Sequence, residues 1–280
     1  MKKPAVGVFL MVTLCSSRAG TTIDTTNRYA YAANLGWVDG VANTNNGVVI
    51  GEYVCSGNLY SANVGWINLG SGAPANQIQY QNNAANDYGV NLDGLGNLRG
   101  YAYGANIGWV NFENTGAPKV DLFTGKFSGS AWSANCGWIS LSNAVAVVQT
   151  DAIQKGALAP DGLPIAWLLQ NFGTTNVNAN ADADGDGVSN GQEYLAGTDP
   201  NDPNSVFRVT YIFRSPGVTI LDWNAMATRY YAIQTNSSLS SDVWHDLVSL
   251  NLAGWNNGSF ADTTPTNRFY RIRAYRPLLP

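Results

Sequence analysis

The densest ligand chemistry in the chain lies in one run of twelve residues, 182–193. Asp182, Asp184 and Asp186 supply hard carboxylate oxygens at alternate positions. Gly187 permits the sharp turn that follows, and Val188 can offer its backbone carbonyl. Asn190 sits where a ligand often acts through water, and Glu193 can close the shell with both oxygens. Four carboxylates this close repel one another without a cation, so the spacing predicts bound Ca2+ and not a solvated acidic turn. A loop that fills its own coordination shell makes the ion structural and not catalytic. Extracellular modules of this kind bind at about 10⁻⁴–10⁻³ M, which suits millimolar external calcium.

Two short helices must hold this loop. Residues 161–164 open a helical pattern, Ile165, Leu168, Leu169 and Phe172, which Gly173 closes. On the far side, Ser189 and Gln192 have capping-box spacing for a helix through Tyr194 and Leu195 that ends at Gly197. From Asp161 to Ser205 the chain resembles the single calcium-binding modules of large bacterial secreted proteins, which are related to thrombospondin type 3 repeats, EF-hands and dockerins. The resemblance covers about 45 residues of the 280. A dockerin would show the loop twice, and this chain shows it once, so a cohesin partner is not implied.

Upstream, a different pattern recurs. Residues 31–38, 60–67, 103–110 and 132–139 all read aromatic, small residue, Ala, Asn, variable residue, Gly, Trp, aliphatic. The asparagines are 29, 43 and 29 residues apart, so copies one and three, and two and four, are each 72 apart. A duplicated pair explains that spacing. Asn-x-Gly between apolar runs predicts a hairpin with Gly in the φ > 0 position, and in that register Ala134 faces Trp138 while Trp132 faces Ser140. Strand period puts Ile139 and Leu141 on one face and Trp138 and Ser140 on the other. Copies two and three divide likewise, while in copy one Gly40 replaces the second aliphatic. Short apolar stretches at 48–50, 90–92 and 120–122 add about one strand per copy. The pattern resembles a Gly-Tyr-Ala-Trp…Asn-Ile-Gly-Trp-Ile repeat of secreted bacterial proteins, which carries no activity with it.

The aromatics of the repeat admit two readings. Trp37, Trp66, Trp109 and Trp138, with Tyr31, Tyr60, Tyr103 and Trp132, can form a row that stacks on sugar rings. The favoured reading is scaffold, because cross-strand aromatic pairs stabilise a sheet by roughly 0.2–1 kcal/mol each and sheets commonly bury one face.

Residues 206–280 read as another small β-domain, with strand patterns at 218–223, 230–234 and 269–272. Trp223, Tyr231, Trp244 and the run 267–273 resemble the fibronectin-like modules that end many bacterial secreted proteins. Seven of the ten arginines lie here, against Asp222, Asp242, Asp246 and Asp262. A basic face that docks on anionic envelope polymers is one reading. Strand edges protected by solvated charge is the favoured one.

Composition narrows the rest. Charged residues make up 12% of the chain, half the usual ~25%, which suits strands and tight turns over helical bundles. A net charge of -4 argues against nucleic-acid binding, which needs a basic face. Lys2 and Lys3, an apolar run to Leu14 and the small-residue site around Ala19 predict an export signal, leaving no transmembrane anchor after cleavage. Cys55 and Cys136 then remain, expected as free or buried thiols over a disulfide.

No catalytic residue is assigned. His245 is the lone histidine and no nucleophile motif accompanies it. Zinc chemistry lacks ligands, and no phosphate-cradling loop precedes a helix. A carboxylate-pair glycosidase is hardest to exclude, although Glu52, Glu113 and Glu193 present no obvious pair.

The sequence therefore predicts a mostly β, modular, secreted or cell-surface protein. Its parts are a signal peptide (1–19), a four-copy antiparallel hairpin domain (20–150), a linker (151–160), a helix–calcium loop–helix module (161–205) and a C-terminal fibronectin-like β-sandwich (206–280). The expected function is that of a calcium-binding surface, matrix or adhesion protein without catalysis. Carbohydrate binding by the Trp/Tyr rows is the alternative, with polysaccharide or other envelope material as partner. A polysaccharide-degrading enzyme ranks behind both.

Overall fold

The computed structural model describes residues 20–43, 45–238, 243–251, 257–263 and 269–278. The expected export segment 1–19, Asp242, Asn267 and Arg268 lie outside them.

Four hairpins close into an eight-stranded antiparallel barrel. The first pairs β1 (Ile23–Ala32) with β2 (Gly36–Asp39). The edge strand β3 (Val49–Ile50) leads into the second, β4 (Cys55–Ser61) with β5 (Gly65–Ser71). Likewise β6 (Val90–Leu92) precedes the third, β7 (Leu98–Gly104) with β8 (Gly108–Asn111). A small ribbon, β9 (Lys119–Val120) with β10 (Phe127–Ser128), precedes the fourth, β11 (Ser130–Ser133) with β12 (Gly137–Ser140). Each hairpin pairs with the next, and β12 returns to β1, so the barrel has no free edge. One more strand, β13 (Val148–Thr150), pairs with the first half of β1.

Strand alternation builds the interior. Val38, Ile67, Ala102, Val110, Ala131 and Ile139 point inward and are buried, while the Trp beside each aliphatic points outward. Ile23 occupies the room left by Gly40, where an added Cβ would come within 3.4 Å of its side chain.

The hairpin register differs from the one that Asn-x-Gly predicts. Ser133 pairs with Gly137, and Trp132 pairs with Trp138 and not with Ser140; Ala134 lies in the loop. The cause is the variable residue after Asn. Leu35, Ile107 and Cys136 are buried and Val64 packs on the same core, so the loop residues turn inward and plug one end of the barrel. Gly137, at φ 76°, is thereby drawn into the strand as its first paired residue.

The recurring asparagines lock that end. Asn63, Asn106 and Asn135 each donate from Nδ2 to the loop carbonyl of the hairpin before, on Leu35, Val64 and Ile107, at 3.0 Å. Asn34 donates to Cys136 at 3.3 Å and closes the ring. Four turns are thus joined head to tail, and the Ser61 and Ser133 hydroxyls donate to the Leu35 and Ile107 carbonyls as well.

Beyond the barrel come α1 (Ile165–Phe172) and α2 (Asn190–Ala196), each ended by a left-handed glycine, Gly173 and Gly197. Ser189 N–H donates to Gln192 Oε1 at 3.0 Å, as the capping box requires. Trp167, Leu168 and Tyr194 form their core. Residues from 209 onward form two three-stranded antiparallel sheets. One is β14 (Val209–Ser215), β15 (Val218–Asn224) and β18 (Asn257–Asp262); the other is β17 (His245–Asn251), β16 (Tyr230–Asn236) and β19 (Phe269–Tyr275). Leu221, Trp223, Tyr231 and Ile233 join both sheets in one core, which makes a β-sandwich.

Candidate functional site

The acidic loop lies between α1 and α2. One oxygen of each of Asp182, Asp184 and Asp186 lies within 4.8 Å of the others, a spread that suits ligands at 2.3–2.6 Å from a shared calcium ion. Asp182 organises the turn: Gly185 N–H donates to its Oδ1 at 2.7 Å and Gly187 N–H to its Oδ2 at 2.8 Å. Those two donors hold its carboxyl below the usual carboxylate range. Val188 follows with its N–H on Asp186 Oδ1 at 2.7 Å.

Asn190 and Glu193 enter from α2 and are fully buried. Asn190 is aimed by its Nδ2 bond to Asn178 O at 3.0 Å. Glu193 lies outside the 4.8 Å aspartate group, with Oε1 accepting from Thr198 Oγ1 at 3.3 Å. Burial, followed by repulsion from Asp184, pushes its carboxyl up to about 7. Asp184 is pushed up too, by desolvation first and its neighbours after.

The donor set fits a hard cation. Asp184 Oδ2, Asp186 Oδ2, Asn190 Oδ1 and Glu193 Oε2 are all buried and accept no hydrogen bond. A buried polar atom left unpaired costs about 1–3 kcal/mol, and four within one loop are relieved together by one ion. Asp182, Asp184, Asp186, Asn190 and Glu193 would hold it, and bound calcium would supply charge neutralisation and a rigid loop.

Helix α2 then carries the loop's geometry into the other two parts of the chain. Tyr194, next to Glu193, donates its hydroxyl to Glu52 Oε2 of the barrel at 2.8 Å. Arg276 of the sandwich donates to the same oxygen at 2.5 Å and lies over the Tyr194 ring at 4.6 Å. Arg229, also of the sandwich, clamps the last carbonyls of α2, with Nη2 to Tyr194 O at 2.5 Å and Nε to Leu195 O at 2.8 Å. Arg276 is 2% exposed and Arg229 8%. Solvated strand edges therefore do not account for these two arginines: they are buried struts, and their charge is spent within the molecule. The segment expected as a linker is tied down as well, Gln154 pairing with Ile50 and Glu52, and Ile153 with Leu278.

The repeat aromatics lie on the outside of the barrel. Trp37, Trp66, Trp109 and Trp138 are 46–49% exposed, with Tyr60, Tyr103 and Trp132 near 40% and Tyr31 half-buried. No second sheet covers them among the described residues. The pairing registers arrange them in four equivalent rungs across three adjacent strands, each a polar residue, an aromatic and a Trp. The rungs are Ser140–Tyr31–Trp37, Asp39–Tyr60–Trp66, Asn68–Tyr103–Trp109 and Asn111–Trp132–Trp138. In the first three the Tyr ring packs on its Trp at 5.3, 4.8 and 4.9 Å. Cross-strand packing of the scaffold kind is therefore present, but on a wet face.

Neither cysteine is bonded to the other: Cys55 and Cys136 are both buried and free, and burial pushes the Cys55 thiol up to about 12. His245 lies exposed on β17, paired with Thr235. Of the three glutamates, Glu52 sits in the arginine–tyrosine node, Glu193 in the calcium loop, and Glu113 beside the fourth rung.

A family model described as a bacterial TSP3 repeat matches residues 182–203. Such repeats are of the calcium-binding type, and the match covers the aspartate cluster and α2. No curated protein and no solved structure matches the chain. Among the described residues, no helix is long and apolar enough to cross a membrane.

Proposed function

We propose that this chain is an exported, calcium-binding surface or matrix protein that works through contacts and not catalysis. The observation that carries the reading is the set of four buried, unpaired oxygens at the root of α2. On this reading calcium is the keystone: it fixes Glu193, and thereby the helix end that Glu52, Arg229 and Arg276 grip from both sides. Such a device suits a molecule that must stay rigid outside the cell, where calcium is millimolar. Calorimetric titration of the full chain tests it. One calcium ion per chain, together with chelator-induced protease cleavage within 174–205, is expected; no heat of binding and an unchanged cleavage pattern would overturn it.

Carbohydrate binding is the second reading, favoured by the exposure of the aromatic rungs. A large rigid ring left in water on one face is adapted to stack on the apolar face of a ligand. Retention of the chain on one insoluble polysaccharide, competed by its oligosaccharides, is the expected result; failure to bind any member of a broad panel would remove this reading.

A further inference from the structure

The four rungs share a pattern but not a state. Trp37 is packed edge-on by Tyr29 and Tyr31, and Trp66 is covered by a tilted Tyr60. Trp109 is ringed by Tyr88, Tyr101 and Tyr103. The polar members are occupied too. Asp39 is paired with Arg28, Asn68 bonds Asn58, Gly70 and Tyr88, and Ser140 donates to Ser142 O.

The fourth rung differs in its rings, although its polar member, Asn111, is occupied as well, accepting from Glu113 N–H. Among the described residues no ring packs on Trp132 or Trp138, and both stay more than 40% exposed. Together with Asn111, Glu113, Thr115 and Gly116 they line a cleft of about 350 Å³, within the span of small-ligand sites, about 300–1,000 Å³. Gly116 sets the floor: a Cβ there would come within 2.9 Å of the Trp138 ring and 1.9 Å of Ser130 O, so only glycine lets the backbone seat that indole. Glu113 is held at the rim by two bonds, Gly100 N–H to its Oε1 at 2.8 Å and its own N–H to Asn111 Oδ1 at 2.5 Å.

We propose that this cleft is the protein's glycan-binding site, taking a neutral pyranose whose flat face stacks on Trp132 and Trp138 while its hydroxyls meet Glu113, Asn111 and Thr115. The assignment rests on the carbohydrate reading and gives it a place and a ligand class. Charge selects the class. Glu113 is the one carboxylate of the lining and no cation accompanies it, so uronic or sulfated sugars are repelled. A quaternary ammonium would also suit an indole pair beside a carboxylate. It carries no hydrogen-bonding group, however, and would strip water from Asn111 and Thr115 without replacing it. A pyranose offers donors and acceptors to both. A single carboxylate also lacks the partner that hydrolysis needs, so the cleft binds without cutting.

The test is calorimetric titration of the calcium-loaded full chain with cellohexaose, laminarihexaose and chitohexaose, followed by the same titration on variants. At least one probe binds, and Trp132→Ala and Trp138→Ala each weaken it by about tenfold or more. Trp138→Phe, which keeps an apolar ring against Gly116, falls between wild type and Trp138→Ala, and Glu113→Gln weakens binding several-fold. Trp109→Ala stays within about twofold. If a sugar binds but Trp109→Ala abolishes it while well-folded Trp132→Ala and Trp138→Ala do not, the cleft is overturned and the carbohydrate reading stands. If no probe binds, both fall. Saturation by tetramethylammonium in place of sugar would overturn the ligand class.

Discussion

The calcium loop and the hairpin repeat are the two strongest patterns in the sequence, and they ask for opposite things. In the loop, the residues the pattern selects are left incomplete: Asp184, Asp186, Asn190 and Glu193 each bury an oxygen with no donor. In the repeat, the recurring Asn and Gly are complete, because each Asn bonds the preceding hairpin's loop and each Gly opens a strand. Recurrence here marks what the fold needs, while four unsatisfied oxygens gathered in one acidic loop mark a place for a cation. The aromatic rungs stand between the two cases. Three have packed their own rings, and one has not.

The contrast is sharpest where the parts meet. Arg276→Ala removes a buried cation from the Glu52–Tyr194 node and leaves Glu52 with the Tyr194 hydroxyl but no cationic partner, so we expect a loss of about 3–5 kcal/mol in denaturant unfolding. An Arg276→Met, Glu52→Gln double variant should lose less, because no charge is stranded. Equal losses in the two would mean the node is mere packing.

Calcium removal comes next. With the ion at about a hundred times its dissociation constant, saturation stabilises the folded state by about 3 kcal/mol, seen as a fall in Tm on chelation. The chelated protein should also respond to pH through Glu193, whose carboxyl is held up at about 7. Between its unfolded value, about 4.5, and about 7 the folded state holds the extra proton. Stability of the chelated chain therefore falls as pH rises through that window and levels off above it; saturating calcium removes the slope. A melt series from acid to neutral pH, with and without chelator, reads both effects.

Smaller effects test the claim that the repeat is complete in itself. Asn63→Ala breaks one link of the ring at the barrel end, with an expected loss of about 1 kcal/mol that calcium does not alter. Trp66→Ala removes one ring from a packed cross-strand pair and should lose only about 0.2–1 kcal/mol. A larger loss would mean that the outer aromatics carry the barrel.

Much of this was legible in the residues. Alternation around Trp138 and Ile139 gave the barrel's inside and outside, because a strand has only two faces. Ser189, Gln192 and Gly197 gave the ends of α2, since capping is local chemistry. The hairpin register was not legible: it depends on Leu35, Val64, Ile107 and Cys136 turning into a shared core, which no single hairpin contains. Barrel closure, through the pairing of Tyr31 with Ser140, lies across more than a hundred residues of chain. The node was hidden for the same reason, since Glu52, Tyr194 and Arg276 carry no motif and meet only in three dimensions. Within the site, five of the six expected calcium ligands were marked by side-chain chemistry, and Val188 by its position alone. The uneven state of the four rungs had no sequence signal beyond a Trp where the other copies have Tyr, at Trp132.

The most direct test is a calorimetric melt of the full chain in about 10 mM calcium and in chelator, alongside Asp184→Asn. Structural calcium predicts a higher Tm in calcium for the wild-type chain and coincident melts for Asp184→Asn. Coincident melts for the wild type, with no calcium bound, would contradict it.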